Sequence, residues 1–147
     1  MGKIVVRDVD ASEVNQVLKL IDQYDRPKSP PPTPEQQRTI IQNIRNSGGR
    51  VIGAFIDNLL VGTCTLNICA NLSWSGRPYG IIENVIIDYD FRGQGIGKQV
   101  LQFAVEKAEA LNCYKVALMT GSNREEVLNF YASAGFSADK VGFQIRF

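Results

Sequence analysis

Residues 81–98 read IIENVIIDYDFRGQGIGK, and this stretch decides the fold. Its first seven residues are apolar except Glu83 and Asn84, which is the composition of a buried strand. Residues 92–98 place three glycines at alternate positions, and apolar residues at helical spacing follow over 100–111. The stretch therefore predicts a strand, a glycine loop and a helix in immediate succession.

Glu83 and Asn84 are the informative residues of the predicted strand. An acid and an amide that face the interior must be hydrogen-bonded or in use, because leaving such groups unpaired costs about 1 to 3 kcal/mol. We therefore expect both side chains to face inward and to be either satisfied or functional.

The glycine loop is a candidate phosphate or pyrophosphate site. Backbone N–H groups at a helix N-terminus carry the positive end of the helix dipole, and Arg92 and Lys98 add local charge. A plain tight turn with a glycine-assisted helix start is the alternative. The loop is not a Walker A sequence, which requires glycine in place of Arg92 and Ser or Thr in place of Gln99. Its last glycine spacing is also one residue shorter than in the dinucleotide-binding fingerprint.

Local patterns predict the remaining elements around this unit. Five of the six prolines lie in residues 27–34 and indicate an exposed loop, which ends at a helix N-cap formed by Thr33 before Pro34. The turn Asp57-Asn58 predicts a hairpin. The full set comprises strands at 3–7, 51–56, 60–66, 81–87, 115–119 and 141–147, and helices at 11–24, at 34–47, after residue 98 and at 125–133.

Length and composition indicate one domain. The 147 residues are 44% apolar, so residues 1–147 are interpreted as a single globular domain. A formal charge of +1 provides no global attraction to nucleic acid or to an anionic membrane, and neither is an expected partner. The N-terminus reads as a strand without a signal-peptide pattern, which predicts a cytoplasmic protein. Cys64, Cys69 and Cys113 lack metal-ligand spacing and are expected to be reduced, with neither a disulfide nor a metal.

The sequence contains no histidine, and this narrows the chemistry. It excludes a Ser-His-Asp or Cys-His catalytic unit, a His-Glu zinc motif and a histidine general base. Proton transfer must therefore fall to other groups.

Two motifs resemble the GNAT superfamily of acyl-CoA-dependent N-acyltransferases. Its signature Arg/Gln-x-x-Gly-x-Gly/Ala matches residues 92–97, which follow an apolar strand and an acidic turn at 88–90. Its second signature, Tyr-x-x-x-Gly-Phe, matches residues 131–136. The likeness is close over residues 80–136, and the upstream order of strand, two helices and hairpin is also that of the superfamily.

The resemblance implies a fold and an activity. The fold is a mixed α/β (α+β) domain whose central, mostly antiparallel sheet is splayed at the glycine loop and flanked by helices. Residues 82–85 and 113–115 look like glucosamine-phosphate N-acetyltransferases in particular. The implied activity is acetyl-CoA-dependent transfer of acetyl to the primary amine of a small molecule, by direct attack on the thioester, in a homodimer.

The acceptor and two alternative functions remain open at this point. We expect the acceptor to lie against the first helices, the 27–34 loop and the 71–79 connection, because loops set function in such a fold. A CoA-sensing module without turnover is one alternative. A protein N-terminal or lysine acetyltransferase is the other.

The resemblance also implies which residues bind acetyl-CoA, with no metal. Its pyrophosphate would lie on the loop amides and its pantetheine arm along the strand near Ile87, with the N–H of Val85 as the donor to the oxyanion. Many members place an asparagine seven residues before the tyrosine. Arg124 occupies that position here and Asn123 precedes it, so Asn123 is a candidate for the arm or, with Ser122, for the helix cap. The loop residues assigned to the cosubstrate are Arg92, Gly93, Gln94, Gly95, Ile96, Gly97 and Lys98.

Two side chains are candidates for catalytic proton transfer. Glu83 could take the proton of the incoming ammonium group directly or through water, and its alternative role is an ion pair with Arg77 or a bond to a neighbouring N–H. Tyr131 could protonate the departing thiolate or hydrogen-bond its sulfur, and its alternative role is a place in a core stripe with Phe130.

Overall fold

A computed structural model describes residues 2–24 and 26–147 of the chain. Within these ranges, five strands form one sheet in sequence order, and four α-helices flank it. The first three strand pairings are antiparallel, whereas β4 and β5 run parallel. The strands are β1 (Ile4–Asp8), β2 (Arg50–Ile56), β3 (Leu59–Cys69), β4 (Tyr79–Ile87) and β5 (Val116–Leu118), and the helices are α1 (Val14–Ile21), α2 (Pro34–Asn46), α3 (Ile96–Ala110) and α4 (Glu125–Ser133). The mixed, mostly antiparallel architecture predicted from the sequence is confirmed.

Side-chain caps set the start of the first two helical segments. Thr33 Oγ1 accepts a hydrogen bond from the Gln36 N–H, and Gln36 Oε1 accepts one from the Thr33 N–H, so α2 begins after Thr33 as predicted. The first helix is shorter than the predicted 11–24. Asp10 caps a 3-10 turn at Ala11–Glu13, and the chain leaves the α-helix after Ile21 in tighter turns.

A two-residue turn joins β2 to β3. Asp57 and Asn58 have φ angles of 48° and 66°. Positive φ at both central residues is the type I′ geometry, which Asp and Asn tolerate and whose twist matches that of the strands. The predicted hairpin is therefore confirmed.

β4 contains a bulge at Asn84 and Val85, which together lie opposite Cys64 of β3. Thr65 pairs with Glu83 and Thr63 pairs with Ile86, so three steps along β4 match two along β3. Asn84 has a φ of 55°, a left-handed conformation that asparagine tolerates better than most residues. Glu83 and Asn84 are both exposed. The prediction that they face inward is wrong, because Glu83 is exposed although it still pairs with Thr65, and Asn84 lies in the bulge.

The sheet opens beside this bulge. β5 pairs with β4 only from Gly80 to Ile82, whereas β4 continues to Ile87. In the part of the chain that the structure describes, no strand lies along the β5 side of residues 83–87. The predicted splay is thus present, and backbone groups on that side can bind a ligand.

Apolar side chains form one cluster on each face of the sheet. Successive side chains of β2 point to opposite faces and so enter the two clusters in turn. Ile52, Ala54 and Ile56 belong to the cluster beneath α3. Val51 and Phe55 belong to the cluster beneath α1 and α2. The sheet is therefore covered on both faces. Over residues 2–24 and 26–147, none of the helices has the length and apolar composition needed to span a membrane.

The predicted strand at 141–147 is wrong. These residues are exposed and belong to no strand, although apolar residues alternate along them. Alternation produces a strand only where a neighbouring strand accepts the backbone hydrogen bonds. Residues 137–147 make no backbone hydrogen bond with the described part of the chain.

Candidate active site

The glycine loop turns the chain from β4 into α3. Gly93 and Gly95 both have a φ of 78°, and a Cβ at either position would meet no atom within 4 Å. Backbone conformation, not lack of space, therefore favours glycine at these two positions. α3 begins directly after Gly95, in the order that the sequence predicts.

The start of α3 is electropositive. The first backbone N–H groups of a helix have no partners within the helix, and here they belong to residues 96–98. Lys98 is exposed beside them, and Arg92 Nε donates a hydrogen bond to the Ile87 carbonyl at 3.2 Å, which ties Arg92 to the end of β4. The helix dipole and the two cationic side chains together suit a phosphate or pyrophosphate group.

Gly97 couples the loop to α4. A Cβ at Gly97 would lie 2.7 Å from Phe130 Cζ, so only glycine lets the Phe130 ring pack against the first turn of α3. The centroids of the Phe130 and Tyr131 rings are 4.9 Å apart. The glycine loop and the helix that carries Tyr131 are therefore packed together.

The turn after α1 holds the splayed end of β4, a contact that sequence analysis missed. Tyr24 Oη donates to the Val85 carbonyl at 2.8 Å, and Gln23 Oε1 accepts from the Tyr89 N–H at 3.1 Å. Val85 belongs to the bulge, so Tyr24 fixes the peptide group between Val85 and Ile86, directly after the bulge. The available signal was an aromatic residue just beyond an amphipathic helix, and that pattern does not reveal a partner 61 residues away.

The Tyr24 hydroxyl lies close to opposite charges. Burial raises its pKa, the negative charge of Glu83 raises it further, and the positive charge of Arg92 opposes that rise. Tyr24 therefore remains a neutral hydrogen-bond donor at physiological pH.

Tyr131 approaches the same place from α4. Burial raises the pKa of its hydroxyl, and the nearby Tyr24 and Cys64 raise it further. Its ring is half-buried against the apolar cluster beneath α3, so the predicted core-stripe packing is present. No described residue accepts a hydrogen bond from its hydroxyl, which is therefore available to a ligand.

The cysteines belong to the core and not to the chemistry. Burial raises the pKa of Cys64 to about 12, so its thiol stays protonated and is a poor nucleophile. Cys64 and Cys113 are buried, Cys69 is partly buried, and all three are free thiols. Across residues 2–24 and 26–147, no group of three His, Cys, Asp or Glu residues is arranged to hold a metal ion.

A groove of about 360 Å³ lies between the first two helices and the sheet. Nine of its fourteen lining residues are aliphatic or proline, including Leu18 and Ile21 of α1 and Ile40 and Ile41 of α2. Of the described residues that line it, Glu83 is the one with an ionisable side chain. The groove thus combines an apolar wall with a single carboxylate.

Glu83 is not part of a structural ion pair within the described chain. Arg77, its expected partner, instead donates to the carbonyls of Asn112 and Cys113 at 3.2 and 3.0 Å. Glu83 is exposed and makes no hydrogen bond through its side chain with described residues. Its carboxylate is therefore free to interact with a molecule in the groove.

Two other predicted features lie away from the groove. Asn123 is exposed and does not cap α4, since Ser122 Oγ accepts the Arg124 N–H at 3.3 Å instead. Its contact with a cosubstrate stays a prediction. The 71–79 connection packs Trp74 on Tyr114, with ring centroids 5.2 Å apart, and contributes no lining residue to the groove.

Known proteins resemble this chain in sequence and in architecture. The acetyltransferase (GNAT) family matches residues 15–136. A glucosamine 6-phosphate N-acetyltransferase of Trypanosoma brucei brucei is 29% identical over 136 residues, which cover 90% of this chain and 88% of that protein. A solved chain from Agrobacterium tumefaciens str. C58, assigned as an acetyltransferase, has a TM-score of 0.88 at 34% identity, with 97% of this chain and 99% of that one covered. An acetyltransferase from Trypanosoma brucei has a TM-score of 0.86 at 26% identity, with 99% and 100% covered.

The splayed sheet, the glycine loop and the second motif at 131–136 define an acyl-transferring enzyme. The chain belongs to the acetyltransferase (GNAT) family, whose members generally use acetyl-CoA, and its enzyme class is N-acetyltransferase. The resemblance seen in residues 92–97 and 131–136 is confirmed.

Proposed function

We propose that this chain transfers the acetyl group of acetyl-CoA to the primary amine of a small molecule whose carbon body occupies the groove. The placement of Glu83 carries this proposal. Glu83 is the ionisable residue of an otherwise largely aliphatic lining, and it lies on the half of β4 that is unpaired toward β5 and leads into the glycine loop. A carboxylate there attracts an ammonium group and can accept its proton.

The residues around the splay fit acetyl-CoA. Gly93 and Gly95 leave open space over the loop backbone, and residues 96–98 supply amides for the pyrophosphate. The backbone of residues 83–87, which no described strand covers on the β5 side, can hydrogen-bond the amides of the pantetheine arm. When bound, acetyl-CoA supplies an activated acetyl thioester.

Three groups of the chain would act on the reacting atoms. Glu83 removes a proton from the ammonium group, which makes the amine nucleophilic. The Val85 N–H would donate to the carbonyl oxygen of the acetyl group as that oxygen gains negative charge. Tyr24 holds the adjoining peptide group through its hydrogen bond to the Val85 carbonyl. Tyr131 donates to the departing sulfur, because the raised pKa of its hydroxyl keeps it protonated.

The groove favours an amine on an apolar body. The relative from Trypanosoma brucei brucei is named for glucosamine 6-phosphate, which is polar and anionic. Here a carboxylate lines the groove, together with nine aliphatic or proline residues. Each buried methylene contributes about 0.8 kcal/mol, which corresponds to an increase of about fourfold in kcat/KM per carbon of an alkylamine.

Thiol release from acetyl-CoA with a series of unbranched primary alkylamines tests this function. We expect kcat/KM to rise about threefold to fourfold per methylene until the groove is filled. Ile40→Asn makes the groove wall more polar and should reduce the rise of kcat/KM per methylene. Asn43→Ala, on α2 outside the groove, should leave that rise unchanged. A higher kcat/KM for glucosamine 6-phosphate than for every alkylamine would contradict the proposal that the acceptor has an apolar body. No thiol release with any amine would favour a CoA-sensing module instead.

We also propose that the enzyme works in the cytoplasm as a homodimer. Cys64 and Cys113 are buried free thiols, which is typical of a reducing compartment.

A further inference from the structure

The groove between the first two helices and the sheet has two unlike sides. Eight of its nine aliphatic or proline lining residues belong to α1, to α2 or to the loop between them. The sheet contributes five lining residues, and four of these are polar, namely Thr65, Asn67, Glu83 and Asn84. An acceptor in the groove therefore meets an apolar wall on one side and hydrogen-bonding groups on the other.

Asn67 lies on the same face of the sheet as Glu83 but further along the groove. Thr65 pairs with Glu83 across β3 and β4, and Asn67 is two residues beyond Thr65, so the three side chains share the groove face. Directly opposite residues of an antiparallel pair are about 5 Å apart, whereas diagonal neighbours such as Asn67 and Glu83 are about 7 to 8 Å apart. A ligand whose amine lies at Glu83 thus presents a more distant atom of its body to Asn67.

The amide of Asn67 is available to such a ligand. It is half-buried and makes no side-chain hydrogen bond with described residues. Gln37, another amide in the groove, instead donates from Nε2 to the Pro32 carbonyl at 2.9 Å. An apolar ligand atom against Asn67 would displace water without replacing its hydrogen bonds, and this weakens binding. Asn67 therefore favours a ligand with a polar group at this point.

The lining of the groove suits a neutral polar group. Among the described lining residues none is Lys or Arg, so an anionic group would have no cationic partner there and would be repelled by Glu83. A second ammonium group would meet only an amide, because the one carboxylate of the lining is engaged by the reacting amine. An asparagine amide both donates and accepts hydrogen bonds, which matches a hydroxyl.

We infer that the acceptor carries a hydroxyl group on its apolar body and that Asn67 recognises this hydroxyl. The inference rests on the proposed function, since it places the reacting amine at Glu83. Each bond of an extended carbon chain advances about 1.3 Å, so a span of about 7 to 8 Å corresponds to about six bonds. The chain of ω-aminopentanol has this length between its nitrogen and its oxygen.

Thiol release from acetyl-CoA with three acceptors of equal size tests the inference. ω-Aminopentanol, hexylamine and cadaverine place a hydroxyl, a methyl and a second ammonium group at the same distance from the reacting amine. We expect the wild-type kcat/KM for ω-aminopentanol to exceed that for each of the other two by about tenfold, because only the hydroxyl pairs fully with Asn67. In the shorter pair, ω-aminopropanol and butylamine, the hydroxyl cannot reach Asn67, so this preference should be absent.

Two variants of Asn67 test which residue recognises the hydroxyl. Asn67→Leu removes the amide at similar volume and should reverse the preference, so that hexylamine exceeds ω-aminopentanol by about tenfold. Asn67→Asp supplies a carboxylate and should raise kcat/KM for cadaverine relative to ω-aminopentanol by about tenfold or more. Asn43→Leu, the same change at an exposed α2 position outside the groove, is the matched control and should keep the wild-type preference.

The outcomes separate this inference from the proposed function. A wild-type kcat/KM for hexylamine or cadaverine that equals or exceeds that for ω-aminopentanol overturns the inference and leaves acetylation of small amines standing. An unchanged preference in Asn67→Leu, with wild-type circular dichroism, overturns the role of Asn67. Should Asn67→Leu fail to fold, an unchanged ratio of cadaverine to ω-aminopentanol in Asn67→Asp overturns it instead. No thiol release with any of the three acceptors overturns the proposed function and this inference together.

Discussion

Replacing Glu83 with Gln should lower kcat/KM for an alkylamine by about 100-fold to 1,000-fold at neutral pH. Glutamine retains the shape of the side chain but cannot accept a proton. Because Glu83 is exposed and has no ion pair with described residues, the substitution should leave folding unchanged. The loss should therefore report on proton removal.

The ionisation of the acceptor sets this magnitude. A primary alkylamine with a pKa of about 10.4 is neutral in about one molecule in 1,000 at pH about 7.4. The wild type can use the ammonium form, since Glu83 takes its proton in the groove. The variant can acetylate only the amine that is already neutral in solution, because the other polar residues that line the groove are amides and a hydroxyl, which are not bases.

Initial rates at subsaturating alkylamine, measured from about pH 7 to about pH 10, check this prediction. For Glu83→Gln, kcat/KM should rise about tenfold per pH unit and approach the wild-type value near the pKa of the amine. Glu109→Gln, an exposed position in the last turn of α3, should follow the wild type. A loss below about fivefold with a parallel pH profile would refute Glu83 as the base.

Two tyrosines give further predictions. Tyr131→Phe should lower kcat by about 100-fold or more and leave the calorimetric affinity for acetyl-CoA nearly intact, because the hydroxyl acts on the departing sulfur; an unchanged kcat would make Tyr131 a packing residue. Since the pKa of Tyr131 is raised, its proton is retained above the usual phenol value, so the wild-type kcat profile should show no fall below about pH 10. Tyr24→Phe removes the hydrogen bond to the Val85 carbonyl, so it should lower the free energy of unfolding in urea by about 1 kcal/mol and also lower kcat/KM. Wild-type values of both quantities would show that this hydrogen bond does not position β4 for catalysis.

Local physics made the loop, the Thr33 cap and the hairpin predictable. Positive φ at Gly93 and Gly95 and the Thr33 cap depend on residues within one turn of the chain, and their signals are visible in short sequence windows. The hairpin turn at Asp57-Asn58 is local in the same sense. These features follow from sequence because no distant contact is needed to select them.

Long-range contacts account for what sequence analysis missed. The bulge places Asn84 outside the regular ladder, and it depends on register against β3, which the sequence of β4 alone does not specify. The Tyr24 bond to Val85 spans 61 residues. The segment 141–147 has a strand pattern, but a strand also requires a neighbouring strand that accepts its backbone hydrogen bonds. The segment makes no such bond with the described part of the chain.

The central claim is that the glycine loop holds the pyrophosphate of acetyl-CoA, and a pair of variants at Gly95 tests it most directly. Asp and Asn have the same shape and both tolerate the φ of 78°, and a Cβ there meets no atom within 4 Å. The two variants therefore differ only in charge. A unit charge about 5 Å from a phosphate charge costs about 3 kcal/mol at an effective dielectric constant of about 20, and salt screening reduces this at an exposed loop.

Calorimetric titration of acetyl-CoA into wild type, Gly95→Asn and Gly95→Asp is the measurement. We expect the wild type to bind, Gly95→Asn to bind within about tenfold of it, and Gly95→Asp to bind about 100-fold more weakly than Gly95→Asn at low salt, with the gap narrowing as salt is added. Equal affinities for the folded Asp and Asn variants, or a wild type that does not bind acetyl-CoA, would contradict the claim.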